Sequence, residues 1–581
     1  MTATARRTTR PRSVYCAVEH EHRDLELAAA VAAGRFTHAG VTIDLGPEPD
    51  WLAPGLPADE EWRIDWWKFG YGLDLAHAFA VTGDRVYLDT WERLVRGFVE
   101  QVPVGTDAAE VGARRILSWL YAWNAFADTP GLGGFDDGFF DALLAGIDAQ
   151  AAYVRENLAP ERNHRTLELY ALFLVALALP ELDEGGGLLR FSCRELHRNL
   201  LTDFRADGVH REASTHYHFV ALRSLVGARE NARRFGASLP DGYDVLLERA
   251  CEFALHCRRP DGAIPALSDS DTGRYGELLE LAGDLLGRAD LRWAGSGGLR
   301  GEPPERTSAS FESGGYFFQR SGWEPGDRYL VFDCGPLGDG GHGHYDLLSV
   351  EIAAGGRPLV VDPGRYTYAE EEPNLRRWFK GTAAHNTVCV DGLDQTPYRR
   401  GKPRGPVAEG RLLGRFQGPG LDVIVGQAVS PVYDAVHTRR VVFVRGEYWV
   451  VEDRLEASEP HRYDLRWHLP SDAEGQLADA GPAAVLSPGV ALVVAAPHVW
   501  EVEPGWTAPE YGRKLPAPVL VATAEGAASA TFTTLVAPSA PGQPAPSLRV
   551  DVDGDTTTVE VSGETVDRIA WSGGSAAWFL P

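Results

Sequence analysis

The sequence has no long apolar run. It contains no stretch of about eighteen consecutive apolar residues, so a helical membrane span is not expected. Four arginines precede Cys16, but no apolar segment follows them, and a secretory signal is therefore not expected either. We interpret residues 1–20 as a flexible N-terminus, although an arginine-rich start also resembles a transit or export signal. These absences predict a cytoplasmic protein, with secretion by a non-standard route as the alternative.

Cysteine is scarce. The chain has six cysteines, and they are scattered along its length. Cys251 and Cys257 lack the spacing of a zinc knuckle, and nothing in the sequence resembles a disulfide framework. This usage favours a reducing compartment.

The chain has fewer basic than acidic residues. Lys and Arg total 56 against 82 Asp and Glu, which gives a net charge of −26. Such a charge disfavours nonspecific binding to nucleic acid. It leaves open a polyanionic substrate, because a local basic cleft can override the global field. The basic run Arg399–Arg404 is typical of a solvated loop, but it could also steer an anionic chain into such a cleft.

The length and the apolar pattern predict a helical N-terminal domain. A chain of 581 residues is too long for one compact core. From 21 to 290 the apolar residues recur with the helical period, and no convincing strands are evident. One amphipathic helix is predicted from Asp65 to its end at Gly83. Successive helices of similar length predict an α/α toroid (an incomplete barrel). A helical solenoid is the alternative, but no strict sequence repeat supports it.

The apolar period changes to two after a predicted linker at 291–310, which is rich in Gly, Pro and Ser. We expect an antiparallel β-sandwich over 311–475 and a smaller C-terminal β-sheet region over 476–581. The fold class predicted from the sequence is therefore multidomain, with helices followed by strands.

The stretch from Gly340 to Thr387 concentrates histidines and carboxylates. His342 and His344 are two residues apart, so they would face the same side of an extended backbone. His344, Asp362 and His385 could be three ligands of zinc or a similar transition metal. The alternative is a buried, hydrogen-bonded His385 with a turn at Asp362.

Two segments of the helical region also carry chemistry. Asn163 and His164 lie at the start of an apolar helix, where an amide and an imidazole can polarise a carboxylate. Asn163 could instead be a simple N-cap. In the segment 207–219, Tyr217 could act as a general acid or base. A hydrogen-bonded surface cluster in which Ser214 caps the next helix is the alternative.

Taken together, these segments resemble the heparinase II/III-like family of polysaccharide lyases, which includes heparin and heparan-sulfate lyases and some alginate lyases. Five motifs carry the resemblance, over roughly 160–400, and as a set they are specific. They are Asn163-His164, Glu212-x-Ser214-x-x-Tyr217-His218-x-x-x-Leu222, His342-x-His344-x-Asp346-x-x-Ser349, Val361-Asp362-Pro-Gly-x-Tyr366-x-Tyr368, and Thr382-Ala-Ala-His385-Asn386-Thr387-Val with Gln395 beyond.

The resemblance implies a toroid followed by a β-sandwich and an enzyme that cleaves uronic-acid glycans by β-elimination. It implies that Asn163 and His164 neutralise the uronate carboxylate. It also implies that Tyr217 protonates the leaving oxygen, either as the acid alone or as both acid and base, and that His342 is a second base or a partner of Tyr217. The implied cofactor is a mainly structural zinc. The implied ligands of that zinc are His344, Asp362 and His385. The implied substrate contacts are Glu212, His218, Tyr366 and Arg377.

Two rival functions differ from this one. A helical-toroid glycoside hydrolase would use paired carboxylates, for which Asp207, Glu212, Asp269 and Asp271 are candidates. A non-catalytic carbohydrate-binding protein would keep the fold without turnover. The expected partner is an anionic glycan, with heparan sulfate, alginate and other uronate glycans all open. Neither nucleic acid nor a membrane is an expected partner, and a homo-oligomer is open.

Overall fold

The computed structural model of the chain describes residues 13–18, 22–38, 40–53, 60–129, 134–401, 405–540, 542–563, 565–573 and 578–579. The predicted flexible N-terminus lies mostly outside these residues, as do Lys402 and Arg404 of the basic run. The chain divides into two compact units. The helical unit comprises 1–203 and 220–247, and the β-rich unit comprises 204–219 and 248–581.

Helices dominate the first half of the chain. The α-helices among the described residues are α1 (Leu25–Ala32), α2 (Glu60–Trp67), α3 (Gly72–Thr82), α4 (Val86–Gln101), α5 (Ala109–Ala127), α6 (Asp137–Glu156), α7 (Arg162–Ala178), α8 (Gly187–Asp203), α9 (Thr215–Phe235), α10 (Tyr243–Cys257), α11 (Gly276–Leu286), α12 (Ala289–Gly295) and α13 (Leu375–Lys380).

The helical unit has the two layers of an α/α toroid. Helices α3, α5 and α7 pack against one another in turn, and α4 packs against α6. Successive helices also pair, as α3 does with α4 and α7 with α8. Their shared core contains the fully buried indoles of Trp67, Trp91, Trp119 and Trp123. The predicted toroid is confirmed.

The single helix predicted from Asp65 to Gly83 is wrong in one respect, because two helices occupy that range. Helix α2 ends at Trp67 and α3 begins at Gly72. Phe69 between them has a φ of +60°, which breaks the helical path. The predicted end is confirmed, since Gly83 follows α3 with a left-handed φ of +70°.

The absence of strands predicted for the helical region is also wrong. Strands β1 (Arg35–His38) and β2 (Val41–Asp44) form an antiparallel hairpin in which Thr37 pairs with Thr42. Its only buried side chain is Phe36, so four-residue strands with one apolar anchor give too short a pattern for the period to be seen.

Strands dominate the rest of the chain. They are β3 (Ala309–Phe311), β4 (Tyr316–Arg320), β5 (Tyr329–Asp333), β6 (Val350–Ala354), β7 (Arg357–Val360), β8 (Val388–Val390), β9 (Glu409–Gly418), β10 (Leu421–Val429), β11 (Val436–Val444), β12 (Tyr448–His468), β13 (Ala478–Asp479), β14 (Ala484–Ser487), β15 (Val490–Val494), β16 (Glu501–Glu510), β17 (Arg513–Pro538), β18 (Ser547–Asp553), β19 (Thr556–Ser562), β20 (Val566–Ser572) and β21 (Trp578–Phe579).

These strands form an antiparallel sandwich. A five-stranded sheet has the order β3-β4-β5-β6-β7, and a ten-stranded sheet runs β13-β14-β15-β17-β12-β11-β10-β9, with β16 beside β17 and β8 beside β12. One apolar core joins them, since Phe332 and Val350 of the smaller sheet pack in one cluster with Trp449 and Trp467 of the larger. The predicted β-sandwich is confirmed.

A third layer covers the larger sheet. Strands β18 to β21 form their own four-stranded sheet, and its Ile569 and Trp571 share a second apolar cluster with Val442 of β11. The ten-stranded sheet has strands on both sides of residue 475, and the predicted domain boundaries stay predictions. Among the described helices, none combines the length and the apolar character needed to cross a bilayer.

Candidate functional site

The start of helix α9 places Tyr217 beside the 265–270 segment of the same unit. Ser214 caps the helix as predicted, because its Oγ accepts from the Tyr217 amide at 3.4 Å. The same hydroxyl donates to the carbonyl of Asp269 at 2.8 Å. Thr215 donates to the carbonyl of Pro265 at 2.7 Å. The first turn of α9 is therefore fixed to the loop that carries Asp269.

Tyr217 and His342 meet within the β-rich unit. Their rings stack with centroids 3.8 Å apart and an interplanar angle of 25°. Tyr217 is half-buried, and the His342 side chain is 18% exposed, so a ligand can reach both. Burial raises the pKa of Tyr217 to about 12, although the cation of Arg365 opposes the rise. The hydroxyl therefore keeps its proton near neutral pH and can donate it.

Asp269 joins His342 to His344. Its Oδ2 lies 2.9 Å from Nδ1 of His342, and its Oδ1 lies 2.9 Å from Nε2 of His344. Arg376 donates to both carboxylate oxygens, from Nη2 at 2.7 Å and from Nη1. Asp269 is fully buried, so these three partners compensate a carboxylate that has no access to water.

The charge of Asp269 sets the tautomers of both imidazoles. Burial would raise the pKa of this carboxyl, but Arg376, His342 and His344 hold it well below its usual range. An ionised carboxylate only accepts, so each facing ring nitrogen carries a proton. Nε2 is then the ring nitrogen of His342 that is left to face a ligand. Burial lowers the pKa of His344 to about 4, so this ring is neutral and its lone pair lies on Nδ1.

The three predicted metal ligands lie together. His344, Asp362 and His385 each offer one ligand atom, and these atoms lie within 4.8 Å of one another in a fully buried group. His385 Nδ1 is 2.8 Å from Asp362 Oδ2. Nδ1 of His344 and Nε2 of His385 are buried without a hydrogen-bond partner in the described part of the chain. Two imidazole nitrogens without partners, beside the carboxylate of Asp362, fit a metal ion.

Further carboxyls lie near this group. Burial raises the pKa of Asp346 to about 6, and the neighbouring Asp362 adds to the rise, while His385 opposes it. Burial also holds the pKa of Asp333 well above its usual range, with the charge of Asp346 contributing. A cation bound nearby would favour the ionised forms of these buried carboxyls.

A second cluster continues from Tyr217. The hydroxyls of Tyr217 and Tyr368 are 2.7 Å apart, and Nη1 of Arg365 lies 2.7 Å from the Tyr368 oxygen. Asp271 accepts from the other edge of the guanidinium, at 2.9 Å from Nε and 2.6 Å from Nη2. Two phenols and one clamped cation thus form a continuous chain of polar contacts.

Asn163 and His164 lie in the helical unit, at the start of α7. Asn163 is buried and His164 is exposed. The preceding Arg162 has a φ of +73°, and its amide donates to Asp203 Oδ2 at 2.7 Å. Strained backbone of this kind concentrates at functional sites, and the predicted role of this pair stays a prediction.

The four predicted substrate contacts have different surroundings, and their roles also stay predictions. Glu212 is buried, 3.6 Å from His210 Nδ1. His218 is buried too, with Nε2 3.0 Å from the Ala250 carbonyl, and burial lowers its pKa to about 3. Tyr366 is half-buried, and Arg377 is exposed beside the ring of Tyr398.

The predicted lyase site does not include Asp269, Arg365, Tyr368 or Arg376. The sequence indicates Asp269 only as a candidate hydrolase acid. The available signal was the acidic pair at 269 and 271 within a polar Ser-Asp-Ser-Asp run, an unusual feature so close to buried helices. Their partners lie too far along the sequence for local pattern to show the contacts.

The fold and the site define a class of protein: an α/α helical unit followed by an antiparallel sandwich, with a stacked Tyr–His pair beside a buried His–Asp–His group. Family comparison agrees. Residues 6–281 match the heparinase II/III N-terminus, and residues 303–550 match the heparinase II/III-like C-terminal region. The chain belongs to the heparinase II/III-like family, which confirms the resemblance expected from the sequence.

Two curated relatives are heparin-sulfate lyases. That of Pedobacter heparinus is 23% identical over 453 residues, covering 74% of this chain and 65% of the relative. That of Bacteroides thetaiotaomicron is 22% identical over 456 residues, covering 72% of this chain and 63% of the relative. The chain therefore spans slightly less than two thirds of either relative.

A solved structure shares the fold. The crystal structure of a mutant of the heparan sulfate lyase from Pedobacter heparinus superimposes with a TM-score of 0.71 at 21% identity. The match covers 94% of this chain and 88% of that one.

Proposed function

We propose that this protein is a polysaccharide lyase that cleaves uronic-acid-containing glycosaminoglycans by β-elimination. The observation that carries the proposal is the stacked pair of Tyr217 and His342, with the imidazole oriented by Asp269. The pair places a protonated phenol against an imidazole, with ring centres 3.8 Å apart. The names of the two curated relatives support the substrate class.

The roles follow from the protonation states. Nε2 of His342 takes the proton from C5 of the uronate, and the electrons of that bond form the C4=C5 double bond. The C4–O4 bond breaks, and O4 takes the proton of Tyr217. One proton then returns from the imidazolium to the phenolate. The products are a free hydroxyl and a 4,5-unsaturated uronate, and no water is consumed.

Proton removal from C5 also requires that the adjacent carboxylate be neutralised. We assign this task to Asn163 and His164, since an amide and an imidazole can donate to the charge that develops there. Near His164, burial would raise the pKa of Glu110, but Arg114 and His164 together lower it to about 2. The imidazole of His164 therefore interacts electrostatically with a carboxylate of its own unit.

We assign zinc to the group of His344, Asp362 and His385. Two nitrogens and one oxygen suit that ion. When bound, it would supply structural rigidity, because Asp362 follows β7 of the five-stranded sheet and His385 precedes β8 of the ten-stranded sheet.

The rival hydrolase is disfavoured by the state of its candidate carboxyls. A hydrolase acid needs a raised pKa, whereas the pKa of Asp269 is held well below its usual range. Asp271 is clamped by two nitrogens of Arg365. Asp207 accepts from the Gly314 amide at 2.9 Å.

The deciding experiment is incubation with heparan sulfate, heparin, chondroitin sulfate, hyaluronan and alginate, followed at the ultraviolet band of the unsaturated uronate. We expect absorbance to rise with at least one sulfated glycan. Cleavage without that chromophore would identify a hydrolase, and binding without cleavage of any glycan would identify a binding protein.

Tyr217→Phe tests the assigned acid. Only one hydroxyl is lost, so the fold and glycan affinity should persist while turnover falls by about 10²–10⁴-fold. Turnover and direct glycan binding are to be measured on the same preparation. Near-normal turnover would remove Tyr217 from the mechanism.

A further inference from the structure

Arg365 contacts both hydroxyls of the tyrosine pair. Its Nη1 is 2.7 Å from the oxygen of Tyr368 and 3.4 Å from that of Tyr217. The guanidinium is buried, with Arg365 only 8% exposed, and Asp271 holds its far edge in a bidentate contact. Its position is therefore fixed by the protein and does not depend on a ligand.

The contacts impose a direction on the hydrogen bonds. A guanidinium has donors and no acceptor, so the Tyr368 oxygen accepts from Arg365. The Tyr217 oxygen, 2.7 Å away, is within reach of the Tyr368 proton. When Tyr368 donates in that direction, Tyr217 keeps its own proton for a group outside the cluster.

We propose that Arg365 is a positioning residue, which acts through Tyr368 to aim the proton of Tyr217 at the leaving oxygen. The inference rests on the lyase function proposed above. When Tyr217 gives its proton to O4, the remaining phenolate accepts the hydrogen bond of Tyr368 and faces the cation of Arg365. The proton gained by His342 later restores Tyr217, so atoms and charge balance over one cycle.

Other charges near Tyr217 make this cation important. Asp269 and Glu212 both raise the pKa of Tyr217, in addition to the effect of burial, and Arg365 is the largest opposing influence. Arg376 lies farther along, with its guanidinium 5.1 Å from the ring centre of Tyr368. Without Arg365 the phenolate would form in a buried, mainly acidic setting.

The test compares two leaving groups. One substrate is the glycan cleaved best. The other is a uronate with a nitrophenoxy group at C4, which leaves as nitrophenolate without needing a proton. We expect Tyr368→Phe and Arg365→Met to lose about 10²-fold or more in kcat on the glycan and at most a few-fold on the activated substrate. A merely structural role would lower both rates equally.

Two variants keep the test decisive if one fails to fold. Arg365→Met leaves Asp271 unpaired, whereas Tyr368→Phe removes one oxygen only. Tyr448→Phe is the matched control, because it removes a phenol whose hydroxyl donates to Asp567 at 2.7 Å in a different part of the unit. It should keep the wild-type ratio of the two rates.

The outcomes separate the two proposals. Equal losses on both substrates would overturn the role of Arg365 and leave the lyase standing. A wild-type chain that cleaves the activated substrate but no glycan would rule out the glycan lyase. It would also rule out the positioning role of Arg365, which concerns the protonation of a glycan oxygen. Cleavage of neither substrate by the wild type would overturn both proposals.

Discussion

Replacement of Asp269 should change two measurable properties, the metal affinity and the turnover. Asp269→Asn replaces two accepting oxygens by one, so His342 and His344 cannot both keep their orientation. We expect metal affinity to fall by about 10–100-fold, because the carboxylate orients a metal-binding imidazole, and turnover to fall as well. Metal content after dialysis against buffered zinc and turnover on the same sample measure the two effects.

Asp391→Asn is the matched control for this change. Asp391 also accepts from an imidazole, with Oδ2 2.6 Å from Nδ1 of His461, but it lies apart from the metal group. It should change neither metal content nor turnover. Wild-type zinc affinity in Asp269→Asn would contradict the bridging role.

Glu168 should make the protein less stable as pH rises. Burial raises its pKa from 4.5 to about 7, so the folded state binds the proton more tightly than the unfolded state. The contribution of Glu168 to stability is therefore greatest below about pH 4.5 and is lost as pH rises through about 7. Glu168→Gln keeps an acceptor for the Ala159 amide, which lies 2.7 Å away. It should stabilise the protein at pH 8 by at most about 3 kcal/mol and change little at pH 4.

Glu110→Gln should change the stability of the protein in the opposite direction. Burial alone would raise the pKa of Glu110, but Arg114 and His164 lower it to about 2. Its contribution is present above the unfolded pKa of about 4.5 and is lost as pH falls toward 2. The variant should therefore be less stable than the wild type at pH 7. Thermal midpoints of both variants at several pH values check the pair, and equal signs would contradict the assignment.

For single residues, the sequence indicates which side chains belong to the site better than it indicates which of them contact each other. His344, Asp362 and His385 are predicted as ligands from their residue types and from the family resemblance, and they do lie together. The link from Asp269 to His342 spans 73 residues, and no local pattern indicates which acid faces which imidazole.

Among the elements, the segment that follows β7 depends on one glycine. Gly364 has a φ of +71°, and an added Cβ would lie 2.9 Å from the carbonyl oxygens of both Ala508 and Ser270. Gly364→Ala therefore combines about 1–2 kcal/mol of backbone strain with about 1–3 kcal/mol of overpacking. Because Asp362 and Arg365 flank this position, metal content and turnover should fall together with the thermal midpoint.

Gly392→Ala separates strain from crowding. Gly392 has a similar φ of +68°, but an added Cβ would meet nothing within 4 Å. Its cost should be limited to about 1–2 kcal/mol, with metal content unchanged. Equal effects of the two substitutions on the thermal midpoint would mean that crowding at Gly364 is relieved by movement of its neighbours.

Long elements were predictable and short ones were not. The helical period predicted over 21–290 is sustained in α5 for 19 residues. The break between α2 and α3 was missed because Trp66, Trp67 and Phe69 continue the apolar pattern through it. Phe69 leaves the helix through its positive φ, which composition does not specify.

For the whole molecule, removal of metal should loosen the sandwich. His385→Ala, or a zinc chelator on the wild type, should lower metal content and the thermal midpoint together, because metal binding couples to folding. Free zinc at a hundredfold excess over its dissociation constant would stabilise the fold by about 3 kcal/mol, or about 5 °C. Calorimetry with and without chelator measures this, and a metal-free wild type with an unchanged midpoint would rule out the zinc proposal.

The order of the helical and β-rich regions along the chain could be predicted, but the pairing of the strands could not. The change from helical period to strand period indicated a toroid and then a sandwich. The pairing of β12 with β17, β11 and β8 depends on contacts between distant segments, which pattern alone does not fix. The cellular location stays a prediction, since no structural feature bears on it.

The position of the metal ligands has a consequence for how the protein matures. Asp362 leaves one sheet and His385 enters the other, so neither ligand finds its partners until the two sheets have closed on each other. A partly synthesised chain that ends before His385 lacks one member of the group and cannot assemble it. Metal capture would thus report that the sandwich is complete, and the imidazole tethered through Asp269 would acquire its working orientation only at that late stage.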